Sequence, residues 1–582
     1  MSNAKSLVIL VIFLSSCMTV KNKVVNTELP APISLISDVY LPPNYNPHHI
    51  GEYPVVYFIN EAPLKVENKR KLKNKLDKMI ASQVIEAVVV AFVSQEAVDI
   101  SDREKLEHLF EYVGSTYAVS RSRDRRYLIG GHQSILRALQ VPSLFKAVAM
   151  HEFSGTCDAQ RWNERSLTDM VDIYAKQGYR LPVYIIAGEE QCIHESTLAS
   201  GTIQTNSTIQ LSIDLYQKLH KLNLFGLSFE KGSTVPASPA ELRIIDGMDS
   251  DSAWLAGAEE SLKYLLGANE SQLVSPTYDA SRYDSTQTGK VFRRELKAGS
   301  NANQQKLRYN VYLPFSYDPS DKTRYPVLYL LHGSGGTEES WDMFWPILDK
   351  IIETKIIPPL IAVAPVSGNS YWVNSQRYGA VESDIIQHLI PEVERDYHTI
   401  DDRSGRGLIG FSMGGYGVLR YSLVYPQLFS TAVLLSPAIQ RDDAPATSGA
   451  VSRGAFGEPF NSRVWHNFNY PVAFQSYCRQ IYRVPMFIIA GDDDWNHVSE
   501  KSDLPDNAYR YNMEKQVANL YSLLHQPVSD KKYIPLSRAE LRIVNGGHDI
   551  DVWASGFEQG LRYMFANGMS VPNGNLQGGL SR

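Results

Sequence analysis

Four cysteines in 582 residues are too few for a disulfide framework. One of them, Cys17, stands near the N-terminus; of the rest, Cys157 and Cys192 can pair or stay as buried thiols, and Cys478 is left over. Basic charge is also short: 57 Lys and Arg stand against 63 Asp and Glu, a net charge of −6. That balance, without a concentrated basic face to neutralise phosphates, excludes a nucleic-acid partner. The histidines stand singly near glycine loops and lack the paired spacing that zinc requires, so no metal and no other cofactor is expected. The glycine-rich segment His332-Gly333-Ser334-Gly335-Gly336 is not followed by the Lys-Ser/Thr of a nucleotide cradle. A hydrophobic content of 43% with 21% charged residues describes an ordinary globular chain rather than a disordered or fibrous one.

The N-terminal apolar run from Leu7 to Leu14, preceded by Lys5, is too short to span a bilayer but has the length of a signal-peptide core. Leu14-Ser15-Ser16-Cys17 resembles a bacterial lipobox, in which Cys17 is acylated; the other reading is an ordinary secretory signal cut nearby. Either way the expectation is export, and with the lipid on Cys17 the protein would be anchored in the bacterial cell envelope. No other association with the membrane is expected.

The chain is written twice. Val39-Tyr40-Leu41-Pro42, then Tyr53-Pro54-Val55-Val56-Tyr57, returns as Val311-Tyr312-Leu313-Pro314, then Tyr325-Pro326-Val327-Leu328-Tyr329. The length independently calls for two cores of roughly 250 residues each. The expected layout is a signal over 1–17, a polar tether over 18–33, domains over 34–268 and 291–567, a linker over 269–290 and a Gly-rich tail over 568–582. Short β-branched runs alternate with amphipathic segments, which predicts an α/β fold: in each domain a mainly parallel sheet flanked by helices. In copy two the strands are expected at 327–331, 360–364, 407–410, 431–435, 486–490 and 540–544, with 291–296 opening the sheet. In copy one they are expected at 55–59, 87–91, 127–130, 147–150, 183–187 and 241–245.

Copy two carries a catalytic pattern. Gly410-Phe411-Ser412-Met413-Gly414 fits G-x-S-x-G between a strand and a helix, where a strained turn exposes a nucleophilic serine and small neighbours are needed to let the backbone fold back. The glycine loop from His332 follows a strand end, the place for one oxyanion N–H, from Ser334; the other would come from Met413. Asn545-Gly546-Gly547-His548-Asp549 follows the last strand, so His548 is positioned as the general base. Gly491-Asp492-Asp493-Asp494 offers three carboxylates to orient it; Asp494 is preferred, with Asp492 and Asp493 open.

These residues, with Glu392-Val393-Glu394-Arg395-Asp396-Tyr397 and the run from Gly546 to Trp553, resemble the esterase D and feruloyl esterase-like family of α/β-hydrolases. That family includes feruloyl and acetylxylan esterases, S-formylglutathione hydrolases and siderophore esterases. The resemblance covers nearly all of residues 290–567 and implies two tandem α/β-hydrolase-like domains and a serine carboxylic-ester hydrolase. It also implies an acid at Asp494, through the family's Gly-x-x-Asp pattern, and an oxyanion amide at Ser334. The segment from Arg441 to Val484 is long for the family, so the pocket rim need not match any relative.

Copy one departs at each catalytic position. His132 falls where Ser412 stands, Gln191 where Asp494 stands and Asp249 where His548 stands, while Trp254 keeps the place of Trp553. Copy one is therefore read as degenerate, either a packing partner, the preferred reading, or a substrate-binding module. Aromatic residues in loops after the strands, Trp341, Trp372 and Trp495 foremost, are expected to stack on substrate. With export, they favour a small-molecule or polysaccharide-linked acyl or feruloyl ester. A catechol trilactone siderophore is the alternative substrate, and a surface binding lipoprotein with a vestigial site is the alternative of another class. The cytosolic formylglutathione substrate conflicts with export.

Overall fold

The computed structural model describes residues 36–48, 53–60, 64–94, 103–152, 169–171, 174–175, 181–188, 193–197, 203–224, 240–245, 250–267, 278–297, 306–494, 512–525 and 537–571. In the first copy the sheet strands are β1 (Ile36–Tyr40), β2 (Val55–Asn60), β3 (Val89–Ser94), β4 (Arg126–Gly130), β5 (Ala147–Glu152) and β6 (Val183–Gly188). A separate hairpin, β7 (Ile193–Thr197) and β8 (Ile203–Ser207), precedes the last sheet strand of that copy, β9 (Ala240–Ile245). The second copy contributes β10 (Lys290–Glu295), β11 (Arg308–Leu313), β12 (Val327–Leu331), β13 (Ile361–Pro365), β14 (Arg406–Phe411), β15 (Thr431–Leu435), β16 (Met486–Gly491) and β17 (Ala539–Val544).

The duplication shows in the hydrogen-bond register. Copy one runs β1-β3-β2-β4-β5-β6-β9, and copy two runs β11-β13-β12-β14-β15-β16-β17 behind the extra edge strand β10. Val55 lies opposite Val89 and Arg126, and its equivalent Val327 lies opposite Ile361 and Arg406. The central strands are parallel and buried, as their near-continuous apolar sequences require once helices cover both faces. Among the described residues of the 15-stranded sheet, only the β1–β3, β10–β11 and β11–β13 pairs within the copies are antiparallel; the separate β7–β8 hairpin is antiparallel as well.

Two separate sheets were the expectation; one continuous 15-stranded sheet is found. It joins where β9 pairs antiparallel with β17, Leu242 opposite Ile543, Arg243 opposite Arg542 and Ile244 opposite Leu541. The pairing is self-complementary about Arg243 and Arg542, the geometry of an isologous dimer built within one chain. Each last strand thus covers the other's open edge, which would otherwise present unpaired N–H and C=O groups. The helices Thr208–Leu224 and Met513–Leu524 close one face over the seam, where the Tyr216 hydroxyl donates to Glu514 Oε2 at 2.7 Å.

The expected linker is not wholly a linker. Residues 278–289 pack on copy two: Tyr278 N donates to Asp551 Oδ1 (2.6 Å), the Tyr283 hydroxyl to Glu558 (3.1 Å) and Gly289 N to Asp349 Oδ1 (2.8 Å). Within the long segment 441–484, the helices Ser462–Phe468 and Tyr470–Tyr477 pack beside the helix Met413–Val424; the Tyr416 hydroxyl donates to the Phe468 carbonyl at 2.8 Å.

Candidate active site

β14 ends at Phe411, and Ser412 turns the chain with φ 55° and ψ −120° before the helix Met413–Val424 begins. A non-glycine residue in this region is strained, and the turn is held from both sides. Ser412 N donates to the Leu435 carbonyl (2.9 Å), and the Ser412 carbonyl accepts from Ala438 N (2.8 Å). The elbow glycines are sterically required. A Cβ on Gly410 would stand 2.5 Å from the Gly414 carbonyl carbon, and one on Gly414 would overlap the Leu331 carbonyl oxygen.

His548 comes to this serine from the turn after β17. Its Nε2 lies 2.8 Å from Ser412 Oγ and its Nδ1 2.8 Å from Asp494 Oδ2. A carboxylate only accepts, so Nδ1 carries the proton and Nε2 is left to accept from the hydroxyl. The next residue fixes the loop: Asp549 caps the helix Ile550–Ala566 by accepting from Asp551 N and Val552 N. Trp553, one turn on, meets the imidazole edge to face at 5.2 Å. Burial alone would lower the His548 pKa; the Asp494 charge and hydrogen bond override it and hold the imidazole above its usual 6.5.

The three adjacent carboxylates have three different surroundings. Asp492 Oδ1 accepts from Gly546 N at 3.0 Å and so braces the histidine turn. Asp493 is oriented through its backbone, whose N–H donates to the Gly546 carbonyl (2.8 Å); burial and the nearby Asp549 charge push its carboxyl up to about 6. Asp494, fully buried, is the one that reaches the imidazole.

The loop after β12 lies against the nucleophile because Gly333 has no side chain: a Cβ there would meet the Phe411 ring at 2.7 Å and Ser412 Cβ at 3.3 Å. His332 is buried and neutral, its pKa lowered to about 4 by burial. Its Nε2 accepts from Ser367 N (3.1 Å), so Nδ1 is the protonated nitrogen and donates to the Gly333 carbonyl (2.7 Å). Asn369 Oδ1 accepts from both Ser334 Oγ and Gly335 N, each at 2.7 Å. The loop bearing the Ser334 amide is therefore tied at two points. Met413 N, the other expected donor, is at the first position of its helix, where the helix itself offers no acceptor. Sequence reading missed Asn369: it sits in an ordinary-looking Gly368-Asn369-Ser370 loop, and only the fold brings it beside Ser334.

The aromatic expectation needs correction. Trp341 is 1% exposed, packed on Phe344, Phe411 and Phe557 beneath the elbow. Trp372 is fully buried, its indole Nε1 donating to the His332 carbonyl at 3.2 Å. A ring spent on packing the loops has no face left for substrate. Trp345, Tyr371, Trp465 and Tyr470 are buried as well. Trp495 lies outside the described residues, as do Cys17, Cys157, Cys192, Gln191 and Asp249.

At the matching place in copy one, Gly131 leads into the helix His132–Ala138 without the positive φ of Ser412. Ser134, the nearest hydroxyl, is fully buried. Copy one nevertheless touches the site of copy two. Glu241 on β9 accepts from Asn545 Nδ2 at 3.2 Å, at the head of the turn that carries His548. Burial, reinforced by the nearby Asp492 charge, raises the Glu241 carboxyl well above its usual range.

Residues 300–564 match a family model described as "Putative esterase". An esterase of Mycobacterium tuberculosis (strain H37Rv) is 37% identical over 140 residues, 23% of this chain and 30% of that protein. An endo-1,4-beta-xylanase/feruloyl esterase of Xylanibacter ruminicola is 34% identical over 141 residues, 22% of this chain and 19% of its own. The chain thus spans less than a third of the length of either relative. Among solved structures, a ferulic acid esterase aligns at 22% identity and TM-score 0.35, covering 48% of this chain and 98% of that one.

Proposed function

We propose that residues 300–564, an esterase-family domain of the α/β-hydrolase type, hydrolyse carboxylic esters with Ser412 as nucleophile, His548 as general base and Asp494 as its orienting acid. The observation that carries this is the unbroken line from Asp494 Oδ2 through His548 to Ser412 Oγ, 2.8 Å at each step, ending on a strained elbow. In acylation Ser412 Oγ attacks the ester carbonyl while His548 Nε2 takes its proton, and the N–H groups of Ser334 and Met413 hold the oxyanion. Collapse expels the alcohol, which receives the proton from His548; water, deprotonated by the same nitrogen, then releases the acid.

A carbohydrate-linked acyl or feruloyl ester is the substrate class we favour, on the xylanase/feruloyl esterase relative rather than on the buried tryptophans. Copy one we read as non-catalytic, because His132 replaces the nucleophile and Ser134 is buried. Export and a lipid anchor on Cys17 remain a reading of the N-terminal sequence, testable by palmitate labelling and its loss in Cys17→Ala.

Hydrolysis of p-nitrophenyl acetate by the full chain tests the reaction. Wild type should turn over, and Ser412→Ala should lose at least about 10³-fold in kcat. An inactive wild type would leave the alternative of a binding protein with a vestigial site. Release of ferulate from feruloylated arabinoxylan, set beside cleavage of a catechol trilactone, separates the two substrate classes.

A further inference from the structure

The seam between the copies has two unlike faces. On one, Leu242, Ile244, Leu541 and Ile543 belong to a single apolar core shared by both copies. On the other the cores of the copies stay separate, and between them lies a cavity of about 520 Å³. That is room for many waters and falls within the range of ligand pockets. Its floor is the β9–β17 pair, and its walls come from the helices Ser250–Leu266 and Ile550–Ala566 with Lys75 from the helix Val66–Ala81.

The lining holds more cations than carboxylates. Six cations, Lys75, Arg243, Lys263, Arg538, Arg542 and Arg562, face three carboxylates, Glu259, Glu260 and Glu540. Every one of those carboxylates is already shared between two cations. Glu540 takes Arg243 (3.2 Å) and Arg542 (2.7 Å), Glu260 takes Arg243 and Lys263, and Glu259 takes Lys75 and Lys263. Arg562 pairs with Glu558, and one of the contacts of Arg538 is a hydrogen bond to Asn567.

At the centre, Arg243 and Arg542 lie directly opposite each other with side chains only 13% and 18% exposed. Like charges facing across a strand pair repel, and here the two are held together by Glu540, which pairs with both, and by Glu260 on Arg243. A seam needing only cohesion would be apolar here, as it is on its other face.

We propose that this cavity binds a small anion carrying two or more negative charges on oxygen, a phosphate ester or a polycarboxylate, which bridges the two copies through the paired arginine forks. Guanidinium groups match such oxygens in bidentate geometry, and a ligand on the pseudo-twofold axis meets the same residue from each side.

Isothermal titration of the full chain with inorganic pyrophosphate and, separately, with citrate, at constant ionic strength, tests this. At least one should bind saturably at one site per chain; the one that binds more tightly says whether the natural ligand is phosphorylated or a polycarboxylate. Arg542→Gln should weaken that binding about tenfold or more. Should that variant fail to fold, the rim double variant Arg538→Gln/Arg562→Gln, which leaves the shared carboxylate pairs in place, should weaken it by a similar factor. Absence of saturable heat with both anions, or an affinity unchanged in the rim variant, overturns the proposal.

Discussion

Replacing Asp494 by Asn isolates what the buried carboxylate does for His548. The side chain is fully buried, and its Oδ2 accepts from Nδ1 at 2.8 Å. An Asn of the same shape can turn its NH₂ toward Nδ1, which then becomes the acceptor, so the imidazole proton moves to Nε2. That nitrogen faces Ser412 Oγ at 2.8 Å and would have no lone pair to receive the hydroxyl proton. The imidazolium of the transition state also loses its counter-charge. A wrong tautomer in a Ser-His-Asp triad costs about 10⁴ in kcat, roughly 5.4 kcal/mol at 1.36 kcal/mol per factor of ten. KM should change little, since the carboxylate does not contact substrate. The neighbours supply the control: Asp493→Asn should keep kcat within about tenfold of wild type, because its carboxyl does not meet the imidazole. Steady-state kinetics on p-nitrophenyl acetate at pH 8 read both. Retention of most activity by Asp494→Asn, or its loss in Asp493→Asn alone, would refute the assignment.

Because the pKa of His548 is held above 6.5 and only the neutral ring is a base, kcat/KM of wild type should rise with pH through an inflection above 6.5; an inflection below that value contradicts it. Asp493, whose folded pKa is likewise raised, makes the fold less stable as pH rises. Its folded pKa of about 6 exceeds 3.8, so its ionisation costs stability, absent below 3.8 and fully present above about 6. Asp493→Asn should therefore stabilise the fold and raise Tm at pH 7 but not at pH 3.5, by at most about 3 kcal/mol and less after solvent screening; an equal gain at both values excludes the mechanism. Asn369→Ala frees the loop bearing Ser334 and should lower kcat about tenfold with KM little changed, whereas a change in KM alone would mean the loop binds substrate rather than the oxyanion. Glu241→Ala removes the acceptor for Asn545 from the other copy and should lower kcat, while Glu241→Gln, which keeps an acceptor oxygen, should restore it; two equally impaired variants would put the charge, not the hydrogen bond, in control.

The strands legible in the sequence are those buried on both faces, such as Val327–Leu331 and Thr431–Leu435, whose unbroken apolar runs have no other use in a covered sheet. The outer strands Ile36–Tyr40, at one edge, and Arg308–Leu313, one in from the other edge, mix polar with apolar residues and carry no such signature. The seam was hidden for a related reason. Glu241-Leu242-Arg243-Ile244 and Glu540-Leu541-Arg542-Ile543 are visible as a repeat, but nothing local says that two copies of one strand will pair with each other. At the site, Ser412 and His548 stand out because the elbow and the final turn impose a local pattern. The choice among Asp492, Asp493 and Asp494 depends on which side chain a turn aims inward, and that is settled by Gly546 bonding to the first two. The tryptophans misled because loop position says nothing of which way a ring faces; Trp341 and Trp372 turn inward to fill the space under the glycine loops.

Covalent labelling tests the central claim most directly. Treated with diisopropyl fluorophosphate and digested, the full chain should yield one modified peptide, that containing Ser412, with labelling slowed in His548→Ala and Asp494→Asn. An unlabelled chain, or an adduct on Ser134 of copy one, would contradict the placement of one catalytic serine in the second copy.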